Sequence, residues 1–322
     1  MEDAENQPLI ESKTASAPDI GSSSVRFSTA RPFNAPWLAG AKFFAFIILI
    51  RLVLIPLVFA AARPLASHGE TYLGDLSEAL VLGCVLIATW MMAKFERRSV
   101  FSYGLKDRQP LRHFAAGASV GFLSLTLMLL CLLATSHLKF GWSHLSGAVL
   151  INAALINVFG FIIVALFEET GFRGYALFAL REAIGFWPGA IAMSLFFAFA
   201  HRGNPGEADT GLLAVFAFGM LLAFSLWRTG SLLWAIGFHF MWDYSESFLY
   251  GVPDSGLVSP EHLLSANFFG PVWITGGSVG PEGSWFIFLV LAAVALAIHF
   301  TYPQRRLAFE DRVIRPSGDL AK

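Results

Sequence analysis

Val158-Phe159-Gly160-Phe161-Ile162-Ile163-Val164-Ala165-Leu166-Phe167 carries no charge and runs straight into Glu168-Glu169-Thr170-Gly171-Phe172-Arg173. An apolar run of this kind reads as the end of a membrane helix. Two adjacent carboxylates at membrane depth are costly unless paired, hydrated or protonated, so they mark a candidate functional site. On a helix, Glu169 and Arg173 stand four residues apart on one face and neutralise each other. Glu168 points about 100° away from Glu169 and lacks that partner. One acid is held and one is free. The plain alternative is a charge cluster at a helix end, bathed in headgroup water.

The rest of the chain has the same apolar character. Its 322 residues are 56% hydrophobic and 14% charged, a balance that excludes a soluble domain. Repeated apolar runs near 20 residues point instead to an all-α polytopic membrane protein, a bundle of about eight transmembrane helices. The expected spans are 38–62, 76–93, 114–134, a fourth from 146, then 189–200, 211–227, 231–250 and 284–300. The fourth keeps its helical pattern past Glu169 to the turn at Gly185-Phe186-Trp187-Pro188. Pro56 should kink the first span. Residues 1–36, polar and rich in Ser, Ala and Pro, hold no secretory signal and read as a disordered tail. The membrane domain is expected over 37–301, with a catalytic core near 150–250, and residues 302–322 as a second tail. A basic stretch at 94–112 reads as an amphipathic piece on the membrane surface. Cys84 and Cys131 lie inside apolar runs and read as inert thiols.

Eight spans put both termini on one side. If that side is the cytoplasm, its tails and loops hold 18 Lys and Arg, and the opposite loops hold three. The positive-inside rule then places both termini in the cytoplasm, with the cytoplasmic membrane of a bacterium as the expected location.

Ionisable groups recur where a membrane helix usually avoids them: Glu168, Glu169 and Arg173, then His201, then His239 and Asp243. Glu168 lies seventeen residues before Gly185 and His201 sixteen after it, so a hairpin about that turn returns both to one height. His239 and Asp243, four apart, share a helix face. Such a set supports attack of water on an amide. Glu168 is the candidate general base, His201 a group that holds the water, and His239 a donor to the developing oxyanion. This version needs no cofactor. Two histidines and carboxylates also suit zinc, with Glu168, His201, His239 and Asp243 as ligands, although the compact His-Glu-x-x-His spacing is absent.

These residues resemble the CAAX protease and bacteriocin-processing family (CPBP, Abi) of intramembrane endopeptidases. Its pattern is Glu-Glu-x-x-x-Arg, Phe-x-x-x-His and His-x-x-x-Asn or a variant. The chain has Glu168 to Arg173, Phe197 to His201 and His239 to Asp243, in that order on successive helices. The resemblance implies proteolysis within or beside the bilayer, on a peptide or lipidated-protein substrate; no nucleic-acid partner is expected. By motif position it makes Glu168 the base, Glu169 and Arg173 its supports and His201 the water-orienting group, with His239 and residue 243 facing the oxyanion. Asp243 departs from the usual Asn. An ionised carboxylate donates no hydrogen bond, so Asp243 must be protonated, orient His239 or bind a metal.

Other readings are a proton- or ion-coupled transporter, or a scaffold or immunity protein that keeps the site without using it. Gly117-Ala118-Ser119-Val120-Gly121 matches a serine-hydrolase elbow and equally a Gly-xxx-Gly packing face. Arg51 is expected to be a bundle-facing structural charge. The Gly-rich connection at 251–283 is expected to form a non-cytoplasmic cap or re-entrant piece.

Overall fold

A computed structural model describes residues 35–62, 73–304 and 307. The tails expected over 1–36 and 302–322 therefore lie almost wholly outside the described residues. The chain forms α1 (Pro36–Ile48), a π segment (Leu49–Leu54), α2 (Ile55–Ala62), α3 (Leu73–Glu96), α4 (Pro110–Ala134) and β1 (Leu138–Trp142). There follow α5 (Gly147–Phe172), α6 (Tyr175–Ile184), α7 (Phe186–His201), α8 (Asp209–Thr229) and α9 (Leu232–Tyr244) with a π extension (Ser245–Tyr250). β2 (Leu264–Phe268), α10 (Val272–Thr275) and α11 (Phe286–Thr301) complete it.

The protein is a mostly helical, multi-pass integral membrane protein. Five helical runs are long and apolar enough to cross a bilayer: Pro36–Ala62, Leu76–Glu96, Pro110–Ala134, Gly147–Ile184 and Asp209–Thr229. The apolar helices Phe186–His201 and Phe286–Thr301 are shorter. Large apolar side chains such as Phe44, Leu123, Phe159, Phe199 and Leu289 point outward, as befits a surface solvated by lipid tails. The first span does not end at Pro56. The π segment just before it widens the turn where the proline ring would meet a carbonyl, and the helix continues.

The structure corrects the expected fourth span. Its helix does not run unbroken to Gly185 but stops after Phe172, with Arg173 as its cap. It restarts at Tyr175, because Gly174 adopts φ −80° and ψ −128°, outside the helical range. The break lets α6 leave the axis of α5 and pack on α1. Polar ties hold it there. Tyr175 donates from its hydroxyl to Glu96 Oε1 (2.9 Å), Tyr103 donates to Glu96 Oε2 (2.9 Å), and Arg98 pairs with Glu182 of α6 at 2.8 Å.

A second difference is a small antiparallel sheet. β1 and β2 pair from Leu138 with Phe268 to Trp142 with Leu264, joining the segment after α4 to the 251–283 connection. Each strand is five residues long, too short for its alternation to stand out between long apolar runs.

The contact that positions the site is the seam between α4 and α9. A Cβ added at Gly117 or Gly121 would lie 2.0 Å from the Trp234 carbonyl oxygen or 2.4 Å from that of Phe238. One added at Gly237 would lie 2.2 Å from the Phe114 carbonyl oxygen. The helices therefore meet backbone to backbone, which only glycine allows. Ser119, by contrast, is exposed and turns its hydroxyl back onto the Ala115 carbonyl (2.8 Å), so the elbow-like sequence is a packing face. One end of the seam is pinned by Asp107. Its Oδ2 accepts from the Ser231 hydroxyl (2.5 Å) and lies 2.6 Å from His113 Nδ1. Partial burial acts to raise the Asp107 carboxyl. The hydrogen bonds from Ser231, the Gln109 amide and His113 outweigh it and hold it below the ordinary carboxylate range.

Gly237→Ala is expected to destabilise the protein by about 1–3 kcal/mol, as overpacking does. Gly83→Ala, at a helical position with nothing within 4 Å of the added Cβ, should leave the thermal midpoint unchanged or raise it. Equal midpoints for the two variants would refute the seam.

Candidate active site

The last turn of α5 supplies both acids. Glu169 is fully buried, and Arg173 Nη1 donates to its Oε1 at 3.0 Å; the two side chains are 0% and 1% exposed. The guanidinium also lies over the Phe197 ring of α7, 4.3 Å from its centroid. Gly219 of α8 makes room for it, since a Cβ there would stand 2.9 Å from Arg173 Nη2.

The same Glu169 oxygen has a second partner. His239 Nδ1 lies 2.9 Å from Glu169 Oε1, which is the geometry of an Nδ1–H donated to the carboxylate. That bond fixes the ring and directs Nε2 to the other side, 3.5 Å from Glu168 Oε2 and 3.4 Å from Asp243 Oδ2. Phe218 and Phe197 pack edge-on against the ring, with centroids 5.3 Å and 6.3 Å away. On α7, His201 Nδ1 lies 2.9 Å from the Phe197 carbonyl oxygen one turn back. A carbonyl accepts only, so this nitrogen carries a proton, and in the neutral ring Nε2 is the acceptor.

Glu168, His201, His239 and Asp243 line one cavity of about 410 Å³. Its volume is within the range of small-molecule sites. Glu169 and Arg173 are not in its wall. They sit behind it and hold His239 in place. The six expected residues thus separate into four that face the cavity and two that brace them. The link from Glu169 to His239 is the part that spacing along one helix could not reveal.

Sequence reasoning missed two groups of wall residues. Asp254, Ser255 and Glu282 reach the cavity from the 251–283 connection, expected as a cap or re-entrant piece. Enclosure by the protein, and then the Glu282 carboxylate beside it, push the Asp254 carboxyl up to about 8. The available signal was acids set among glycines and prolines, Pro253-Asp254-Ser255-Gly256 and Gly280-Pro281-Glu282-Gly283. The second group is Arg51 and Glu78, on the π segment and α3. Arg51, expected as a structural charge, lines the cavity with its guanidinium 6.0 Å from the Phe196 ring centroid.

Residues 150–245 match a protein-family model described as Rce1-like, type II CAAX prenyl endopeptidase. The matched stretch contains all three motifs and runs from within α5 to the end of α9. This stretch of the helical bundle is thus similar to CAAX prenyl endopeptidases. No curated protein and no solved structure matches the chain.

Proposed function

We propose that the protein is an intramembrane endopeptidase that cleaves a membrane-associated peptide or lipidated protein with water activated by Glu168. The observation that carries this reading is the division of labour between the two acids. Glu169 is committed to Arg173 and His239, while Glu168 stands in the cavity wall with His239 Nε2 as its 3.5 Å neighbour. Water bound between Glu168 and His201 Nε2 gives a proton to Glu168 as its oxygen attacks the peptide carbonyl carbon. His239, charged and held by Glu169, donates from Nε2 to the oxyanion that forms. Glu168 then returns the proton to the leaving nitrogen as the C–N bond breaks, releasing an amine and a carboxylic acid.

Membranes carrying the wild type and Glu168→Ala, compared by proteomics, are expected to differ in a small set of cleavage products. These products would also identify the substrate. Identical product sets would sink the proposal.

Zinc held by Glu168, His201, His239 and Asp243 is the alternative mechanism. Its support is weaker. Among the described residues, the carboxylate and imidazole donors clustered at ligand spacing are Glu246, Asp254 and Glu282 rather than these four. The metal-free reading expects activity to survive chelators. It also expects Asp243→Asn to retain or gain activity, because the amide adds a donor beside His239 Nε2. Inactivation by chelators with rescue by zinc, and loss of both zinc and activity in Asp243→Asn, would reverse the preference.

A further inference from the structure

Three carboxylates outside the motif set converge at the end of α9. Glu246 lies on the π extension, one turn beyond Asp243. Asp254 lies in the following loop, and Glu282 in the 3₁₀ turn Pro281–Gly283 ahead of α11. One carboxylate oxygen from each lies within 4.8 Å of the other two. Were all three ionised, like charges at that separation would repel strongly in a low-dielectric site. Yet none of the three forms an ion pair with Lys or Arg among the described residues.

The hydrogen bonds are unevenly shared. Glu282 Oε1 accepts from Trp242 Nε1 (3.0 Å), and its Oε2 from the Ser255 amide (3.0 Å) and hydroxyl (2.6 Å). Asp254 Oδ2 accepts from the Ser247 hydroxyl (3.1 Å). Glu246 is the anomaly. It is 0% exposed, and among the described residues neither of its carboxylate oxygens accepts a well-formed hydrogen bond, although both are buried; the neighbouring Trp242 donates to Glu282 instead. An unpartnered buried carboxylate beside two others is stable only if it holds a proton or faces a positive charge.

We propose that Glu246, Asp254 and Glu282 form a structural site for a hard divalent cation, calcium or magnesium. The donors are all oxygens, with no imidazole or thiolate among them, which selects these ions over zinc. The cation supplies Glu246 with its missing partner and cancels the repulsion among the three acids. It also fastens three separate segments together. Because Asp254 and Glu282 line the cavity, the ion fixes the cavity wall that faces Asp243. Its role is to hold that wall and not to activate water, so it is separate from the zinc alternative for the catalytic site.

The test is thermal unfolding of the full-length protein in detergent, stripped with chelator and titrated with calcium chloride or magnesium chloride. The wild type is expected to show a saturable rise in its unfolding midpoint with at least one of the two ions, with affinity on the order of 10⁻⁴–10⁻³ M or tighter. Whichever ion gives the larger rise is the one the site prefers. Glu246→Gln should abolish the rise. Without any ion it should be as stable as the stripped wild type or more so, because the amide occupies the same space and cannot add a charge to the cluster. Asp254→Asn should behave the same way and replaces it if Glu246→Gln fails to fold. An ion-indifferent wild type would overturn the site, as would an equal rise in the variants. The readout is independent of proteolysis, so it holds or fails apart from the proposed mechanism.

Discussion

Glu168→Gln is expected to lower the rate of peptide cleavage by roughly 10²–10⁴-fold, the usual contribution of a positioned general base. The substitution keeps the size of the side chain and removes its capacity to take a proton. The loss should fall on turnover, with little change in substrate affinity, since the amide fills the same space in the cavity wall. Folding should be unaffected, because Glu168 is 15% exposed at its side chain and its neighbour is a single ring nitrogen at 3.5 Å. Full activity in Glu168→Gln at equal expression, with the wild-type thermal midpoint, would rule out Glu168 as the base.

Arg173→Met should fail in a different way, by destabilising the protein about 3–5 kcal/mol. Arg173 shares the fully buried Glu169 with His239, and deleting it leaves that carboxylate one cationic partner short in a low-dielectric site. The expected readouts are a lower thermal midpoint and poor accumulation in membranes. Pairing Arg173→Met with Glu169→Met removes both charges and should recover much of the stability. It should not recover activity, because His239 then loses the carboxylate that orients it. Arg173→Lys should be intermediate, since an ammonium lacks the planar face that lies over Phe197. A single Arg173→Met variant as stable as the wild type would show that Glu169 is not held as described.

The sequence made the membrane character and the motif residues legible because both depend on local pattern. Hydropathy runs reveal helices, and i, i+4 spacing brings Glu169 to Arg173 and His239 to Asp243. The contacts that spacing could not reach are those between helices. The bond from Glu169 to His239 joins residues 70 positions apart, and no periodicity within α5 or α9 encodes it. The break at Gly174 was hidden because apolar periodicity continues through Tyr175, Leu177 and Leu180, while the chain changes direction at one backbone torsion. The reach of Asp254 and Glu282 into the cavity was hidden for another reason. The Gly-rich connection has no repeating pattern from which the direction of a side chain can be read.

The glycine seam has a consequence for how accurately His239 is located. Most helices in a bundle touch through a layer of side chains, and each rotamer exchange in that layer shifts one axis slightly against the other. Between α4 and α9 that layer is missing at Gly117, Gly121 and Gly237, so the carbonyls of one helix rest on the main chain of the other. Main-chain positions vary less than rotamers do. The ring two residues beyond Gly237 is therefore referenced to the backbone of α4, and its tolerance is that of a hydrogen-bonded helix rather than of a packed cluster of phenylalanines.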